Sequence, residues 1–432
     1  MLAGFGKVEI TPPLCIPYLS FSPRQTPFAG VHDPLHARAL VLTEGEVSLA
    51  MLAVEALGFS NDVLGPDRNF TQEVRERVAR RTGIPPAQIL LASSHIHSAP
   101  QTTNLARLLD FPEAGPWLET LMEQLVSAVA LAHRSLRPAE LRAGIGTAPG
   151  IAYNRRRHLA ADAPVDDSLA ALWIRGEGWC GCLTNFACHP VTVQVNPLVS
   201  ADYVGAACHL VEEVLDTEAC LFLQGACGDL DPVRGTTDFA DVRRYGQMLG
   251  GQLLHLLARL DAPDWPPLAP GLAVHSRIVT LPGYQYPPEE PYAADVDRLT
   301  TALAEAGETE RPGIAAALQV ARDRLAMVRR GSVPVPAEVQ ALRLGDTVAV
   351  VSVPGELFCR LGLEIKRRSP APITLVSGYT NGYEGYFPTA AAFSEGGYEP
   401  SVGPWCRVGP TAGELLVETA VSLLQELWGN IR

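Results

Sequence analysis

The sequence is poor in basic residues and has no long apolar run. Its 432 residues include 34 Lys and Arg against 47 Asp and Glu, which gives a formal net charge of −13. This disfavours a nucleic-acid partner, because phosphate contacts need clustered basic side chains. No apolar stretch approaches the roughly 18 residues of a membrane span, and the first residues lack the pattern of a secretory signal. These absences predict a cytoplasmic protein without a transmembrane segment.

The cysteine pattern gives no indication of a disulfide framework. The nine cysteines are odd in number and lie mostly in apolar runs, so we expect reduced, buried thiols. Apolar residues, in contrast, are abundant at 47% of the chain. This content is enough for a large core and too high for a disordered chain.

Short apolar runs alternate with longer amphipathic stretches, which predicts an α/β fold of mixed β-sheets flanked by α-helices. We predict helices at 66–82, 118–133, 201–215, 239–260, 296–306, 314–329 and 412–428. Strands are predicted at 36–43, 47–55, 88–92, 141–146, 169–175, 180–188, 221–224, 339–344, 348–353 and 373–376.

No internal repeat is evident, and we interpret residues 1–432 as one catalytic domain. Within it, residues 261–335 resemble a Pro-rich linker followed by an inserted helical hairpin, because the prolines forbid a continuous helix or central strand. Only the proline-free run 272–281 is suited to a strand there.

Polar residues stand where three predicted strands end. His95 and His97 follow one strand, His189 follows a second, and Glu356 follows a third. If the first segment stays extended, the two histidines two positions apart point to the same face. Two histidines and a glutamate are the ligand set of many open catalytic zinc sites, and strand ends are where open α/β sheets bind ligands. A hydrogen-bonded structural role is the alternative for each histidine.

A buried strand also leads into the Gly-rich turn L-F-L-Q-G-A-C-G-D-L-D-P at residues 221–232. Asp229 and Asp231 in this turn either present carboxylates into a cleft or cap backbone N–H groups locally. Both roles stay open for each residue, and for Asp229 the capping role is at least as well supported as the cleft role.

Two further segments are unusual for their composition. Arg155, Arg156 and Arg157 form a basic run in an acidic chain. Such a run is typical of a solvated loop, or it binds a carboxylate, a phosphate or a polarised carbonyl. The segments 378–389 and 396–400 place tyrosines among glycines, where core packing explains them poorly.

Together these motifs resemble the catalytic domain of neutral, non-lysosomal ceramidases, a family of zinc-dependent amidases. H-I-H-S-A-P is similar to the family's H-T-H-S-G-P, and N-F-A-C-H-P-V to the segment with its second zinc histidine. V-P-G-E is similar to the segment with its zinc glutamate, and the tyrosine loop has the family spacing. The order is preserved from G-K-V-E-I-T-P near the start to the tyrosine loop.

The resemblance implies a Zn²⁺ ion held by His95, His189, Glu356 and Tyr386. It places His97, Arg155 and Tyr398 on the substrate side as donors to an oxyanion. Zinc lowers the pKa of bound water and polarises a carbonyl as a Lewis acid. The implied activity is hydrolysis of a C–N amide bond.

The sequence departs from the family in two respects. The family carries G-D-V-S-P with a catalytic serine where this chain has G-D-L-D-P, so Asp231 is expected to act as general base or to ligate zinc. The family's immunoglobulin-like C-terminal domain and export signal are also not found. We therefore expect a soluble or amphipathic amide substrate instead of membrane ceramide. The alternatives are a zinc esterase or phosphoesterase, and a non-catalytic zinc-containing binding protein.

Overall fold

The computed structural model describes residues 1–18, 26–103, 105, 107–193, 196–236 and 238–429. In its first sheet, β1 (Leu2–Glu9), β2 (His36–Glu44) and β3 (Val47–Val54) are successive antiparallel neighbours. Helix α1 (Phe70–Thr82) then connects β3 to β4 (Ile89–Ser93), which pairs parallel to β3. Helix α2 (Ala114–Arg134) follows, and the short strand Arg137–Pro138 pairs with β1.

The strands and helices of the second sheet follow one another in the same order as in the first. Strands β5 (Glu140–Thr147), β6 (Ser168–Gly176) and β7 (Trp179–Phe186) are antiparallel neighbours. Helix α3 (Asp202–Leu215) leads to β8 (Cys220–Gln224), which is parallel to β7, and α4 (Phe239–Leu260) follows.

The third sheet repeats the order once more, with an insertion. Strand β9 (Leu272–Leu281) is joined to its antiparallel partner β10 (Val335–Leu344) through α5 (Glu290–Glu305) and α6 (Arg311–Arg330). Strand β11 (Val348–Ser352) is antiparallel to β10, and α7 (Cys359–Arg368) leads to the parallel strand β12 (Ile373–Ser377). Helices α8 (Ala390–Glu395) and α9 (Ala412–Gly429) complete this part.

The three sheets therefore share one topology, which the sequence does not reveal as a repeat. In each, an antiparallel triplet is followed by a helical crossover to a parallel fourth strand. The carboxyl ends of the third and fourth strands consequently lie side by side in every sheet. The segments that leave these six strand ends carry most of the candidate site.

The core forms where the sheets pack on one another. Leu40 of β2, Leu172 of β6 and Val350 of β11 belong to one buried apolar cluster shared by the three sheets. The outer face of each sheet is covered by helices: α1 and α2 on the first, α3 and α4 on the second, α7 and α9 on the third. The predicted class of mixed β-sheets flanked by α-helices is confirmed.

Short strand pairs fix the segments beside the strand ends. Glu356–Leu357 pairs parallel with Tyr386–Phe387, and Ala152–Asn154 pairs antiparallel with Leu230–Pro232. The remaining pairs are Gly30–Val31 with Leu198–Val199 and Pro17–Tyr18 with Thr26–Pro27. Single 3₁₀ turns lie at Pro86–Gln88 and Leu108–Asp110.

The predicted strands and helices all occur, with shifted ends. Helix α1 begins at Phe70 and not at 66 because the Asn69 side chain accepts a hydrogen bond from the Gln72 N–H and caps the helix. The strand expected at 272–281 is present and pairs along its length with β10, so this part of 261–335 belongs to the third sheet. Helices α5 and α6 lie where the hairpin is expected. The division of the chain, including its reading as a single domain, stays a prediction.

Strand β1 and helix α7 were not predicted. Gly4 and Gly6 weaken the strand pattern of β1, but their lack of a side chain lets helix α2 approach closely. A Cβ atom at Gly6 would lie 2.1 Å from the carbonyl oxygen of Ala128. Close packing on α2, which only the tertiary structure shows, explains this strand.

A buried ion cluster joins the first two sheets. Arg38 of β2 donates to Glu55 at 2.5 Å and to Glu212 of α3 at 2.7 Å. Burial alone would raise the pKa of Glu212, but the Arg38 charge and its hydrogen bond lower the pKa to about 2. Because the pKa in the unfolded chain is higher, near 4.3, ionised Glu212 stabilises the fold above that pH and loses this effect as the pH falls towards 2.

We therefore expect Glu212→Gln to lower the free energy of unfolding by about 3 kcal/mol at neutral pH. The difference from wild type should shrink as the pH falls from about 4 to 2. Urea unfolding followed across this range measures it. Glu213→Gln is the matched control, because Glu213 is exposed and pairs with the surface residue His209; an equal loss in that variant would contradict the prediction.

Candidate metal centre and active site

Three side chains that follow strand ends converge in the interior. His95 lies two residues after β4, His189 three residues after β7 and Glu356 four residues after β11. Each of the three is 2% exposed. The shared topology of the sheets thus places one segment from each sheet at a common point.

The ligand atoms of this cluster lie close together. His95 Nε2 is 3.2 Å from His97 Nε2, and His189 Nε2 is 3.1 Å from a carboxylate oxygen of Glu356. That oxygen is also 3.6 Å from His95 Nε2. His95, His97 and His189 each present a ring nitrogen within 4.8 Å of the others, a grouping that can hold a metal ion.

Hydrogen bonds determine which nitrogen of each ring faces this point. The Nδ1–H of His95 donates to the Leu57 carbonyl at 2.6 Å, and that of His189 to the Cys227 carbonyl at 2.7 Å. A carbonyl only accepts, so Nδ1 carries the proton and Nε2 keeps its lone pair in the neutral ring. Burial lowers the pKa of His95 to about 3, which keeps its ring neutral near pH 7.

This donor set fits zinc. Neutral imidazole nitrogens whose lone pairs point at one another repel unless a cation lies between them. Ligand atoms about 2.1 Å from a tetrahedral zinc ion are separated by roughly 3.4 Å, close to the 3.1, 3.2 and 3.6 Å found here. The carboxylate supplies the negative charge that a dication favours.

Two tyrosines hold Glu356 in place. The Tyr383 hydroxyl donates to one carboxylate oxygen at 2.5 Å, and the Tyr379 hydroxyl lies 3.4 Å from the other. Burial alone would raise the pKa of Glu356, but the adjacent imidazoles and the Tyr383 hydroxyl lower it. The sequence indicated this tyrosine-rich loop but did not assign a role to these two residues. The feature that could have identified them is the cluster of tyrosines, which core packing does not explain.

The backbone is strained at the same place. His95 has φ of 67° and Tyr379 has φ of 52°, both in the left-handed region that residues other than glycine rarely adopt. Their rings stack with centroids 3.9 Å apart. Non-glycine residues held in this region cluster at functional sites, where the surrounding structure compensates for the strain.

Arg155 lies beside the cluster within a dense set of hydrogen bonds. Its guanidinium donates to Asp231 at 3.0 Å, to Glu399 at 2.7 Å, to the Gly228 carbonyl at 2.7 Å and to the Tyr386 hydroxyl at 3.0 Å. The two carboxylates fix the plane of the guanidinium, and one of its amino groups points to the Tyr386 hydroxyl. Arg155 is therefore held rigidly.

Residues 1–236 match the family described as neutral/alkaline non-lysosomal ceramidase, N-terminal domain. This match covers more than half of the chain. The chain belongs to this family.

Known ceramidases are similar to this chain over nearly all of its length. The neutral ceramidase of Mycobacterium tuberculosis is 24% identical over 470 residues, covering 90% of this chain and 72% of the relative. The crystal structure of neutral ceramidase from Pseudomonas aeruginosa superposes with a TM-score of 0.77 at 19% identity, covering 99% of this chain and 74% of that one. A ceramidase complexed with C2 gives a TM-score of 0.75 at 17% identity, with coverage of 99% and 75%. At these identities the structural comparisons show the fold.

Membership of a ceramidase family supports a hydrolase. None of the helices that the described residues form is long and apolar enough to cross a membrane.

Tyr386 and Tyr398, which the ceramidase resemblance singled out, lie next to each other. Tyr386 is the register partner of Glu356 in the short parallel pair, and its hydroxyl accepts from Arg155. The Tyr398 ring meets the Tyr386 ring edge-on with centroids 5.8 Å apart, and Tyr398 is 52% exposed. Tyr398 thus lies between the buried cluster and solvent.

His97 was expected on the substrate side of this ceramidase-family site, and it also belongs to the group of ring nitrogens that can hold a metal. Its Nε2 faces that of His95 at 3.2 Å. The contact allows His97 to act as a third nitrogen ligand or as a donor next to the metal.

The two aspartates of the Gly-rich turn have different surroundings. Asp229 accepts from the Asn154 amide and from the Cys359 N–H, both at 2.7 Å. It therefore caps a backbone N–H that is 130 positions away, and not a local one as one of the two interpretations had it. Asp231 accepts from Arg155 and from Arg234, each at 3.0 Å. Burial alone would raise the pKa of Asp231, but the charges of Arg155 and Arg234 lower it.

Two members of the arginine run bind a carboxylate, as the second of its two interpretations holds, and do not form a solvated loop. Arg156 is buried and donates to the second carboxylate oxygen of Glu399 at 2.7 Å. Glu399 therefore bridges Arg155 and Arg156. The sequence could not show this, because the arginines and the glutamate are some 240 positions apart.

Proposed function

We propose that this protein is a zinc-dependent hydrolase that cleaves the C–N amide bond of a soluble or amphipathic N-acyl substrate. The observation that carries the proposal is the convergence of histidine Nε2 atoms and the Glu356 carboxylate at one buried point. Family membership supports the same class of reaction.

In this proposal His95, His189, Glu356 and Tyr386 hold the zinc ion, and His97 lies at its edge. When bound, zinc polarises the substrate carbonyl and makes water a nucleophile near neutral pH. The chain's own contribution is the buried, pre-oriented donor set, since backbone carbonyls and Tyr383 fix the ligands before the metal binds.

The residues on the open side suit an oxyanion. Arg155 and Tyr398 lie beside Tyr386, and His97 lies beside His95. Preorganised donors of this kind stabilise the charge that develops on an attacked amide oxygen. Arg155 is already oriented by two carboxylates and needs no reorganisation during the reaction.

Asp231 is better placed as an anchor than as a base. Both of its carboxylate oxygens accept from arginines, and a general base works best with a pKa near the working pH, whereas that of Asp231 is lowered. In our proposal Asp231 keeps Arg155 in position.

The charge of the chain favours a substrate that comes from solution. A net charge of −13 is repelled by anionic membrane surfaces. This supports a dispersed or amphipathic amide over a lipid that must be extracted from a bilayer.

The test is a panel of N-acyl amides, cyclic amides, esters and phosphoesters, assayed with zinc, after chelation, and after zinc is restored. We expect hydrolysis of N-acyl amides that chelation abolishes and zinc restores. Hydrolysis confined to esters or phosphoesters would replace our proposal with the esterase alternative. No turnover of any substrate by zinc-loaded protein would favour a binding role.

A further inference from the structure

An aromatic ladder leads outward from the candidate metal ligands. Tyr386 meets Tyr398 edge-on at 5.8 Å, and Tyr398 stacks on Trp405 at 4.8 Å. The Trp405 indole N–H donates to the Tyr398 carbonyl at 3.0 Å, and the Trp405 carbonyl accepts from the Tyr386 N–H at 2.7 Å. Trp405 is thereby fixed to both tyrosines, so the ladder is rigid.

The inserted hairpin adds a cation at the outer end of this ladder. Arg324 of helix α6 lies over the Trp405 ring, with its guanidinium carbon 5.3 Å from the ring centroid. Helices α5 and α6 pack on each other through Leu299, Leu318 and Ala321. Burial raises the pKa of Tyr398, and the charge of Arg324 acts to lower it.

Arg324 differs from the other arginines around the site. Arg155, Arg156 and Arg407 each pair with a carboxylate at 2.7 to 3.0 Å. Among the residues that the structure describes, no such ion pair involves Arg324, and its Nε is buried without a hydrogen-bond partner. A guanidinium that is held on an aromatic ring but has no anion suits a ligand with a planar carboxylate.

We propose that Arg324 and Trp405 form a subsite for a free carboxylate on the amide substrate, with the aromatic ladder covering the apolar part between the carboxylate and the scissile bond. This inference rests on the proposed amide hydrolysis. The carboxylate belongs either to the amine part, as in an N-acyl amino acid, or to the far end of the acyl chain. Both arrangements use the same chemistry at Arg324.

Three substrates of matched chain length separate these cases: N-octanoylglycine, N-octanoylethanolamine, and the mono-ethanolamide of octanedioic acid. Arg324→Gln should lower kcat/KM for a carboxylate-bearing substrate by about 10- to 100-fold, mainly through KM, because it removes a charge-assisted contact. The kcat/KM for the neutral ethanolamide should change by less than about threefold, because this substrate loses a contact with Arg324 but no charge pairing. Arg324→Lys should restore part of the loss, since it keeps the charge without the planar fork.

Arg322→Gln is the matched control, because Arg322 is an exposed arginine on the same helix. The carboxylate-bearing substrate that loses rate in Arg324→Gln identifies the end bound there. The subsite would be overturned if Arg324→Gln lowered kcat/KM equally for neutral and carboxylate-bearing substrates. It would also be overturned if Arg322→Gln and Arg324→Gln had equal effects. Failure of the wild type to hydrolyse any of the three amides would instead overturn the proposed function.

Discussion

Replacement of His189 with alanine is expected to remove the metal and, with it, the hydrolytic activity. His189 Nε2 lies 3.1 Å from Glu356 in a cluster that is almost fully buried, and alanine has no donor atom to replace the lost ligand. Loss of an outer partner of a metal ligand already costs 10- to 100-fold in affinity or activity, and we expect loss of a ligand to exceed about 100-fold. Zinc content after dialysis and kcat/KM on an N-acyl amide measure the effect.

His209→Ala is the control for this variant. The His209 side chain on α3 is 65% exposed and pairs with Glu213, so zinc content and activity should stay at the wild-type level. Stoichiometric zinc in dialysed His189→Ala would show that the proposed ligand set is wrong. Circular dichroism of both variants establishes that the fold is retained.

Replacement of Glu399 with glutamine is expected to lower both turnover and stability. Glu399 accepts from Arg155 and from Arg156, each at 2.7 Å. Removal of its charge leaves two arginines short of a counter-charge, which costs about 3–5 kcal/mol for a buried pair. Because Arg155 also orients the Tyr386 hydroxyl, its displacement should lower kcat by about 100-fold.

Glu395→Gln is the matched control because Glu395 contacts Arg156 but not Arg155. Glu395 is also partly exposed, so its loss should cost at most about 1 kcal/mol and leave kcat unchanged. Urea unfolding and steady-state kinetics on folded protein separate the two effects. A Glu399→Gln variant that is destabilised but turns over like wild type would limit Glu399 to a structural role.

The same assay decides the role of Asp231. If Asp231 anchors Arg155, Asp231→Asn should resemble Glu399→Gln in kcat and retain its zinc. The loss of a general base costs up to about 10⁴-fold, so a fall of that size would restore the base role. Loss of zinc would instead indicate direct ligation.

The site residues that the sequence indicated were those that follow apolar strands directly. His95, His189 and Glu356 could be named because a strand pattern ends just before each. Tyr379 and Tyr383 were missed because their partner, Glu356, lies more than twenty positions away, with helix α7 and strand β12 between them. Glu399 was missed because nothing local distinguishes it from a solvated glutamate.

The elements of the fold also divide into those that a local sequence pattern predicts and those that it does not. Long periodic helices such as α4 agree with their prediction because an amphipathic pattern is a local property. Strand β1 was missed because its glycines are explained only by the helix that packs on them. The threefold repetition of sheet topology has no sequence signal, since hydrogen-bond pairing between strands does not depend on side-chain identity.

The sequence by itself determined the residue types of the candidate metal centre, the alternation of strands and helices, and the acidic character of the chain. Only the tertiary structure decided that segments from three sheets meet at one point, that two arginines share one buried glutamate, and that Arg324 of the inserted hairpin lies over Trp405 without an acidic partner among the described residues. The physical reason is distance along the chain: burial and charge pairing act between residues that folding brings together, and no local pattern records them.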